Sequence, residues 1–242
     1  PDICFVLDWS ATNNFSSKDN CIAKKDMSLK DYDSSLVWYW DMETLTADWK
    51  LKDLSGNGND WTFSWGMNYS AASTGWIIGK GLAFNWQNTY ISVADSDTIL
   101  PTSSYTMQVY SKKSGTWTQG ERWIMVSKNT NYIDICYKEK ILFSMYSSWS
   151  QPLTVGWNCP NYWDWHLYTA TFDGSKATLY DNWSQIGSRS INILLQDDSN
   201  QMTIWRYNWG WYYFNWTIDG IKIYNRILSP WEILQQAKSA WL

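Results

Sequence analysis

From residue 36 onward, short runs of β-branched and aromatic residues alternate with clusters of Gly, Asn, Asp and Ser. The clearest runs are residues 36–40, 89–93, 105–110, 132–137, 141–146, 166–172, 177–180 and 218–224. Many of them alternate apolar and polar positions with period two, the signature of a strand with one buried face. Loops rather than helical stretches separate them, so the pattern predicts an all-β sandwich or barrel and not a βαβ fold. The stretch Leu179-Tyr-Asp-Asn-Trp183-Ser-Gln-Ile reads as strand, turn, strand, and Lys138-Glu139-Lys140 as a tight charged hairpin. One helix is predicted. Ser229 serves as N-cap, Pro230 opens the first turn and Glu232 takes the capping-box position, while Ile233, Leu234 and Ala237 form its apolar face.

Before this pattern begins, residues 1–33 are polar and irregular after a short apolar start at Ile3-Cys4-Phe5-Val6-Leu7. The compositional break divides the chain into an upstream segment, 1–33, read as the end of a preceding domain, and a strand-rich domain, 34–242. The first residue is Pro1, so the chain reads as a fragment of something longer. At 242 residues and 45% hydrophobic content, a single large core suffices. Nineteen basic against twenty-three acidic side chains give a net charge of −4, and without a Lys/Arg cluster that argues against nucleic acid as a partner. No apolar run reaches the roughly 18 residues of a membrane span.

Cysteine and tryptophan usage add more. Cys4, Cys21, Cys136 and Cys159 show neither C-x-x-C nor zinc-finger spacing. An even, widely spaced set fits two disulfides in an oxidising compartment. Three pairings are possible, and the local one is Cys4–Cys21 with Cys136–Cys159. Tryptophan is far over-represented: of 21, eight directly follow Asp or Asn, namely Trp9, Trp49, Trp61, Trp86, Trp165, Trp183, Trp209 and Trp216. In hairpins that second slot belongs to glycine, which tolerates positive φ where an indole is strained. Intact pairs stand at Asn57-Gly58, Asp173-Gly174 and Asp219-Gly220. The pattern matches a UGA codon decoded as glycine in the source and written as tryptophan; the other reading is a Trp-rich surface for stacking sugars.

With glycine in those slots, the strand region resembles the laminin-G-like, concanavalin A-like jelly-roll modules of bacterial secreted proteins. The likeness runs from about Leu36 to about Gln236. It is carried by Val37-Trp-Tyr-Trp40-Asp-Met-Glu43, the turn Asp53-Leu-Ser-Gly-Asn-Gly-Asn-Asp60-Trp61, and Gly81-Leu-Ala-Phe-Asn-Trp86 with Tyr90-Ile-Ser-Val93. Trp165-His166 leading to Ala170-Thr-Phe-Asp-Gly174, the hairpin at Leu179–Trp183 and Phe214–Ser229 complete it. Trp38, Trp61, Trp86, Trp183, Trp205 and Trp216 stand where the family has glycine. These six are expected at turns or strand ends and exposed, with Trp40 and Trp165 buried. The resemblance implies a sandwich of two antiparallel sheets with one short C-terminal helix. It also implies a structural calcium ion held by Glu43, Asn59 and Asp219, with Asp53 either joining them or capping its own turn. The stretch around Cys4 and Cys21 is faintly similar to the disulfide-closed end of a pilin-like head domain.

Little catalytic chemistry is visible. No G-x-S-x-G, P-loop or G-x-G-x-x-G occurs, and His166 reads as a core histidine at a strand start. A glycosidase needs two carboxylates flanking the scissile bond. The four glutamates, Glu43, Glu121, Glu139 and Glu232, lack the spacing of the laminarinase-like enzymes. The aromatic loop with Tyr207, Asn208, Trp211 and Tyr212 offers sugar-stacking faces, or Tyr212 and Phe214 pack inward and Trp209 is a misread glycine. The expected function is a non-catalytic, extracellular or cell-surface module binding a glycan or a surface protein. The alternative is a structural head domain of a pilin-like subunit, with a glycoside hydrolase well behind.

Overall fold

The computed structural model describes residues 33–63, 69, 73–75, 80–84, 90–93, 104–113, 124–128, 131–137, 140–145, 153–158, 164–190, 202–204 and 216–239. The upstream segment therefore lies outside the described residues except for Asp33. Fifteen strands appear among them: β1 (Leu36–Trp40), β2 (Thr62–Phe63), β3 (Ser73–Gly75), β4 (Lys80–Ala83), β5 (Ile91–Val93), β6 (Tyr105–Lys113), β7 (Ile124–Lys128), β8 (Asn131–Tyr137), β9 (Lys140–Met145), β10 (Leu153–Asn158), β11 (His166–Phe172), β12 (Lys176–Asp181), β13 (Ser184–Ser190), β14 (Met202–Ile204) and β15 (Trp216–Tyr224). Helix α1 (Pro230–Ser239) follows.

The strands form two antiparallel sheets. One has the order β13-β12-β11-β6-β15-β4-β3, with β1 also paired to β15; the other has the order β10-β9-β8-β7-β14-β5-β2. Strand β15 divides one edge between two partners. Its residues 221–224 pair with β1, and Thr217 and Ile218 pair with β4. Between these halves Gly220, at φ 68°, opens a bulge that shifts the register against β6, a conformation glycine adopts without a steric penalty. Gly81 on β4 has a different reason to be glycine: a Cβ there would stand 2.8 Å from the carbonyl oxygen of Ile218.

Period-two alternation decides what lies between the sheets. Trp38, Trp40, Tyr105, Met107, Val109, Tyr168, Ala170, Phe172, Ala177, Leu179, Ile218, Ile221 and Ile223 face inward and meet Phe143, Met145 and Val155 of the other sheet. The outer face of the first sheet is covered by α1. Ile233 packs among Leu36, Tyr180, Tyr224 and Leu228, and Ala237 against Tyr110 and Leu167. The predicted capping box is formed: Ser229 N–H donates to Glu232 Oε2 at 2.7 Å, and Glu232 N–H to Ser229 Oγ at 3.3 Å.

Arg226 joins the start of the domain to this helix, donating to Asp33 Oδ2 at 2.9 Å, Ser35 Oγ at 2.7 Å and Glu232 Oε1 at 2.6 Å. The guanidinium, aided by the Ser229 amide and opposed by partial burial, draws the Glu232 carboxyl down from the usual 4.5 to about 2. A depressed carboxyl stabilises the fold above its unfolded value, and that stability is lost as pH falls towards the folded one. Arg226→Met should therefore destabilise the domain by about 1–2 kcal/mol at pH 7, after allowance for solvent screening. It should also flatten the acid limb between pH 4.5 and 2, measured by urea melts across that range.

The tryptophan expectation is partly overturned. Trp38 and Trp61 are fully buried rather than exposed at turns. Trp40, buried as expected, stacks on Trp61 with ring centroids 3.7 Å apart and meets Trp38 edge-on at 4.7 Å. Interior volume at the junction of β1 with the 53–61 turn accepts the indoles, although the Nε1 atoms of Trp38 and Trp61 are buried without a hydrogen-bond partner among the described residues. Trp165 is half-buried and Trp183 half-exposed at the β12–β13 tip. Positive φ at that tip falls on Asn182, φ 54°, and not on Trp183. Trp86, Trp205 and the Trp216 side chain lie outside the described residues.

Trp49 fits the glycine-slot argument best. It is 70% exposed at φ 63° in the hairpin where Trp49 N–H donates to Thr46 O and Thr46 N–H to Lys50 O. The intact glycines Gly58, Gly174 and Gly220 share that conformation, with φ from 68° to 91°. Trp49→Gly is expected to stabilise the domain by about 1 kcal/mol through relief of left-handed strain. A chemical-denaturation midpoint below the parent's would count against it.

Candidate functional site

The turn from Asp53 to Asp60 is one of the stretches that carry the family resemblance, and its geometry accounts for Asp53, Ser55, Asn57 and Asp60. Among the described residues strand β1 pairs with β15 on one side only, leaving the main-chain groups of its other edge to be satisfied. Asp53, 3% exposed, lies against that edge. Its Oδ1 accepts from Tyr39 N–H at 3.1 Å and Ser55 N–H at 2.9 Å, and its Oδ2 from Asn59 N–H at 3.0 Å. Leu54 N–H donates to Tyr39 O at 2.7 Å. Ser55 Oγ and Asn57 Nδ2 both donate to Val37 O, at 2.9 and 2.8 Å. Asp60 Oδ1 closes the turn by accepting from Asp53 N–H at 2.9 Å. Gly58, at φ 78°, lets the chain reverse. The motif is a side-chain clamp on a strand edge that would otherwise invite another strand.

Of the residues expected to hold calcium, Asp53 and Asn59 make contacts within the turn itself. Asp53 caps its own turn, the second of its two predicted roles. Asn59 gives its N–H to Asp53 and its carbonyl to Trp40 Nε1 at 3.1 Å. Glu43 is exposed, whereas Asp219 is buried on β15. Among the described residues no three acidic, histidine or cysteine side chains converge to hold a metal ion. Glu43, Asp53 and Asp219 are not brought together as one cluster among the described residues, and no role for calcium is derived from them.

Acidic side chains elsewhere do the same kind of structural work. Asp41 accepts from Glu43 N–H at 3.0 Å and Thr44 N–H at 2.8 Å, and from the Thr44 hydroxyl. Asp173 holds the amides of Ser175 and Lys176 at 2.8 and 2.6 Å. His166, read from sequence as packing at a strand start, does stack on Tyr168 at 5.6 Å. Its Nδ1 also lies 2.7 Å from Asp181 Oδ1, a partner on the next strand that only the β11–β12 register brings close.

Tyr207, Asn208, Trp211 and Tyr212 lie outside the described residues, as do Cys4, Cys21 and Cys159; Cys136 is on β8, with its side chain outside the description. What sequence reasoning missed is Lys222. It sits on β15 with its Nζ 5.0 Å from the centre of the Tyr39 ring, and its position in an alternating strand looked like any solvent-facing lysine.

Two facing antiparallel sheets, a covered outer face and a clamped opening strand define a jelly-roll β-sandwich. Residues 85–234 match the model of the concanavalin A-like lectin/glucanases superfamily, and the chain belongs to that superfamily. A search of curated proteins finds no significant match. Among solved structures, the fold is similar to the binding domain of Paraclostridial Mosquitocidal Protein 1, with TM-score 0.69, 19% identity and coverage of 85% of this chain and 52% of that one. It is also similar to the binding domain of botulinum neurotoxin DC in complex with rat synaptotagmin II, with TM-score 0.68, 13% identity and coverage of 86% and 52%. A structure of botulinum neurotoxin type C, described as entering cells dependent on two ganglioside molecules, gives TM-score 0.68, 14% identity and coverage of 88% and 53%. The chain spans about half the length of each. At these identities the likeness is one of fold.

Proposed function

We propose that this chain is a non-catalytic binding module that recognises a glycan or a glycan-bearing protein outside the cell. The observation that carries the reading is the jelly-roll sandwich it shares with binding domains, one in complex with a protein receptor and one from a toxin dependent on gangliosides. A fold hosts many functions, so local chemistry matters too. Asp33, Asp41, Asp53, Asp60, Asp173 and Glu232 are engaged in turn amides, a cap or the Arg226 cluster. That usage supports binding over hydrolysis, because a glycosidase needs two carboxylates turned towards substrate.

The test is a glycan array that includes sialylated ganglioside headgroups, probed with the full chain and followed by calorimetry on any hit. Saturable binding of one glycan class is expected, without hydrolysis of the bound sugar on prolonged incubation. Release of a free reducing end would overturn the non-catalytic reading, and absence of binding to any glycan would overturn the glycan reading. The extracellular placement carries its own expectation, that Cys4–Cys21 and Cys136–Cys159 are disulfide-bonded. Non-reducing peptide mapping that finds four free thiols would contradict both.

A further inference from the structure

Helix α1 begins with apolar side chains on two different sides. Leu228, just before the N-cap Ser229, packs with Ile233 against Leu36 and Tyr224, a hydrophobic staple that fixes which face of the helix meets the sheet. That choice leaves their neighbours in solvent. Ile227 is 39% exposed and Trp231 61%, and Pro230 between them is exposed as well. Of the four large apolar side chains exposed among the described residues, Trp49 and Trp183 stand singly at hairpin tips. Ile227 and Trp231, by contrast, flank one helix start. Trp231 follows Pro230, outside the Asp/Asn–Trp pattern, and it sits in the first turn of α1, where no positive φ calls for glycine.

The chain enters the domain at the same spot. Arg226 donates to Asp33 Oδ2 at 2.9 Å and to Glu232 Oε1 at 2.6 Å. Ile227 directly follows Arg226, and Trp231 directly precedes Glu232. One guanidinium therefore ties Asp33, where the described part of the chain begins, beside both exposed side chains. Arg226 Nε also donates to Ser35 Oγ at 2.7 Å, and Asn225 N–H to Ser35 O at 2.9 Å, which fixes the entry point. Everything upstream of Asp33 starts from here.

We propose that residues 1–32 of this chain dock on the strip formed by Ile227, Pro230 and Trp231. Three side chains at one helix start offer far less than the roughly 800 Å² per partner of a stable interface between separate proteins. A second copy or a free partner would gain too little there to offset the entropy of association. The upstream segment is already joined beside the strip, so its contact is intramolecular and a small apolar area suffices. Its apolar run Ile3-Cys4-Phe5-Val6-Leu7 supplies matching side chains. The chain between Leu7 and Asp33, at about 3.3 Å per residue, is long enough to fold back onto the strip. The inference is independent of the glycan reading and stands or falls without it.

The test places the photoreactive residue benzoylphenylalanine at Gln235, exposed one helical turn beyond Trp231, in the full chain and maps its adducts by mass spectrometry. Mixing isotope-labelled with unlabelled chains separates contacts within a chain from contacts between copies. Adducts to residues 1–32 of the same chain are expected. Trp231→Ser should lower their yield about tenfold, the factor that burial of one large apolar side chain is worth. Ile227→Ser, at the other end of the strip, should act in the same direction, and urea transitions close to the parent's would show that both variants are folded. Adducts confined to other residues or to a second copy would overturn the proposal. So would the absence of adducts, or a yield that neither substitution in a folded variant changes.

Discussion

Asp53→Ala is expected to lower the stability of this domain by about 3–5 kcal/mol, a large share of the roughly 5–15 kcal/mol that a domain possesses. The carboxylate receives three main-chain N–H groups, from Tyr39, Ser55 and Asn59, the Ser55 contact being buried and the other two partly so. Hydrogen bonds to a charged acceptor contribute more than neutral ones, and each donor left unpaired carries its own desolvation penalty. Loss of the clamp also frees the outer edge of β1, whose Trp38 and Trp40 are central to the core. Asp53→Asn retains an acceptor at the Oδ1 position for two of the three amides, and should lose about half as much. Urea unfolding followed by tryptophan fluorescence measures both. An alanine variant within 1 kcal/mol of the parent (far below the sum of the lost contacts) would show that the turn does not depend on this side chain.

Lys222→Met should act in the opposite direction and stabilise the protein by about 2–3 kcal/mol at pH 7. Burial lowers the folded amine from the ordinary lysine value of 10.5 to about 8. Between those values the unfolded chain binds a proton that the folded chain does not, so the parent gains stability as pH rises from 8 to 10.5. Below pH 8 the parent bears the full penalty of a poorly hydrated cation, offset in part by its attraction to the Tyr39 ring. Methionine has similar reach and no charge to desolvate. The advantage of the variant should therefore be greatest below pH 8 and shrink towards zero by pH 10.5. A difference between the two proteins that does not change with pH would rule out titration of Lys222 as the cause.

Local pattern was enough to reveal much of the architecture. Period-two alternation located β1 and β11 to the residue and placed β6, β8, β9, β12 and β15 within a few residues, because a strand with one buried face writes that face into its sequence. The capping box at Ser229 and Glu232 was equally legible, since both partners lie within one helical turn. Short strands such as β2, β3 and β14, of two or three residues each, were not visible. They carry too few positions to show a period, and their pairing with distant strands creates them.

The site residues divide along the same line. Asp53 announced a functional turn through its motif, and the sequence allowed it either of two roles, metal ligand or cap. Tertiary structure forms the cap by laying the turn along the open edge of β1, a contact that pairs residues fourteen to twenty apart. Trp61 reads as a strained turn residue on local grounds and Trp38 as a glycine position by family resemblance, yet the space between the sheets buries both; Trp49, in a hairpin formed entirely from its neighbours, behaves as its local sequence indicates. His166 and Lys222 carry no distinguishing pattern. Only the assembly of β11 beside β12 gives His166 its aspartate, and only the position of β15 between β1 and β6 deprives Lys222 of water. Backbone pattern is a local property that one sequence displays directly, whereas hydration and charge partnership depend on which strands become neighbours.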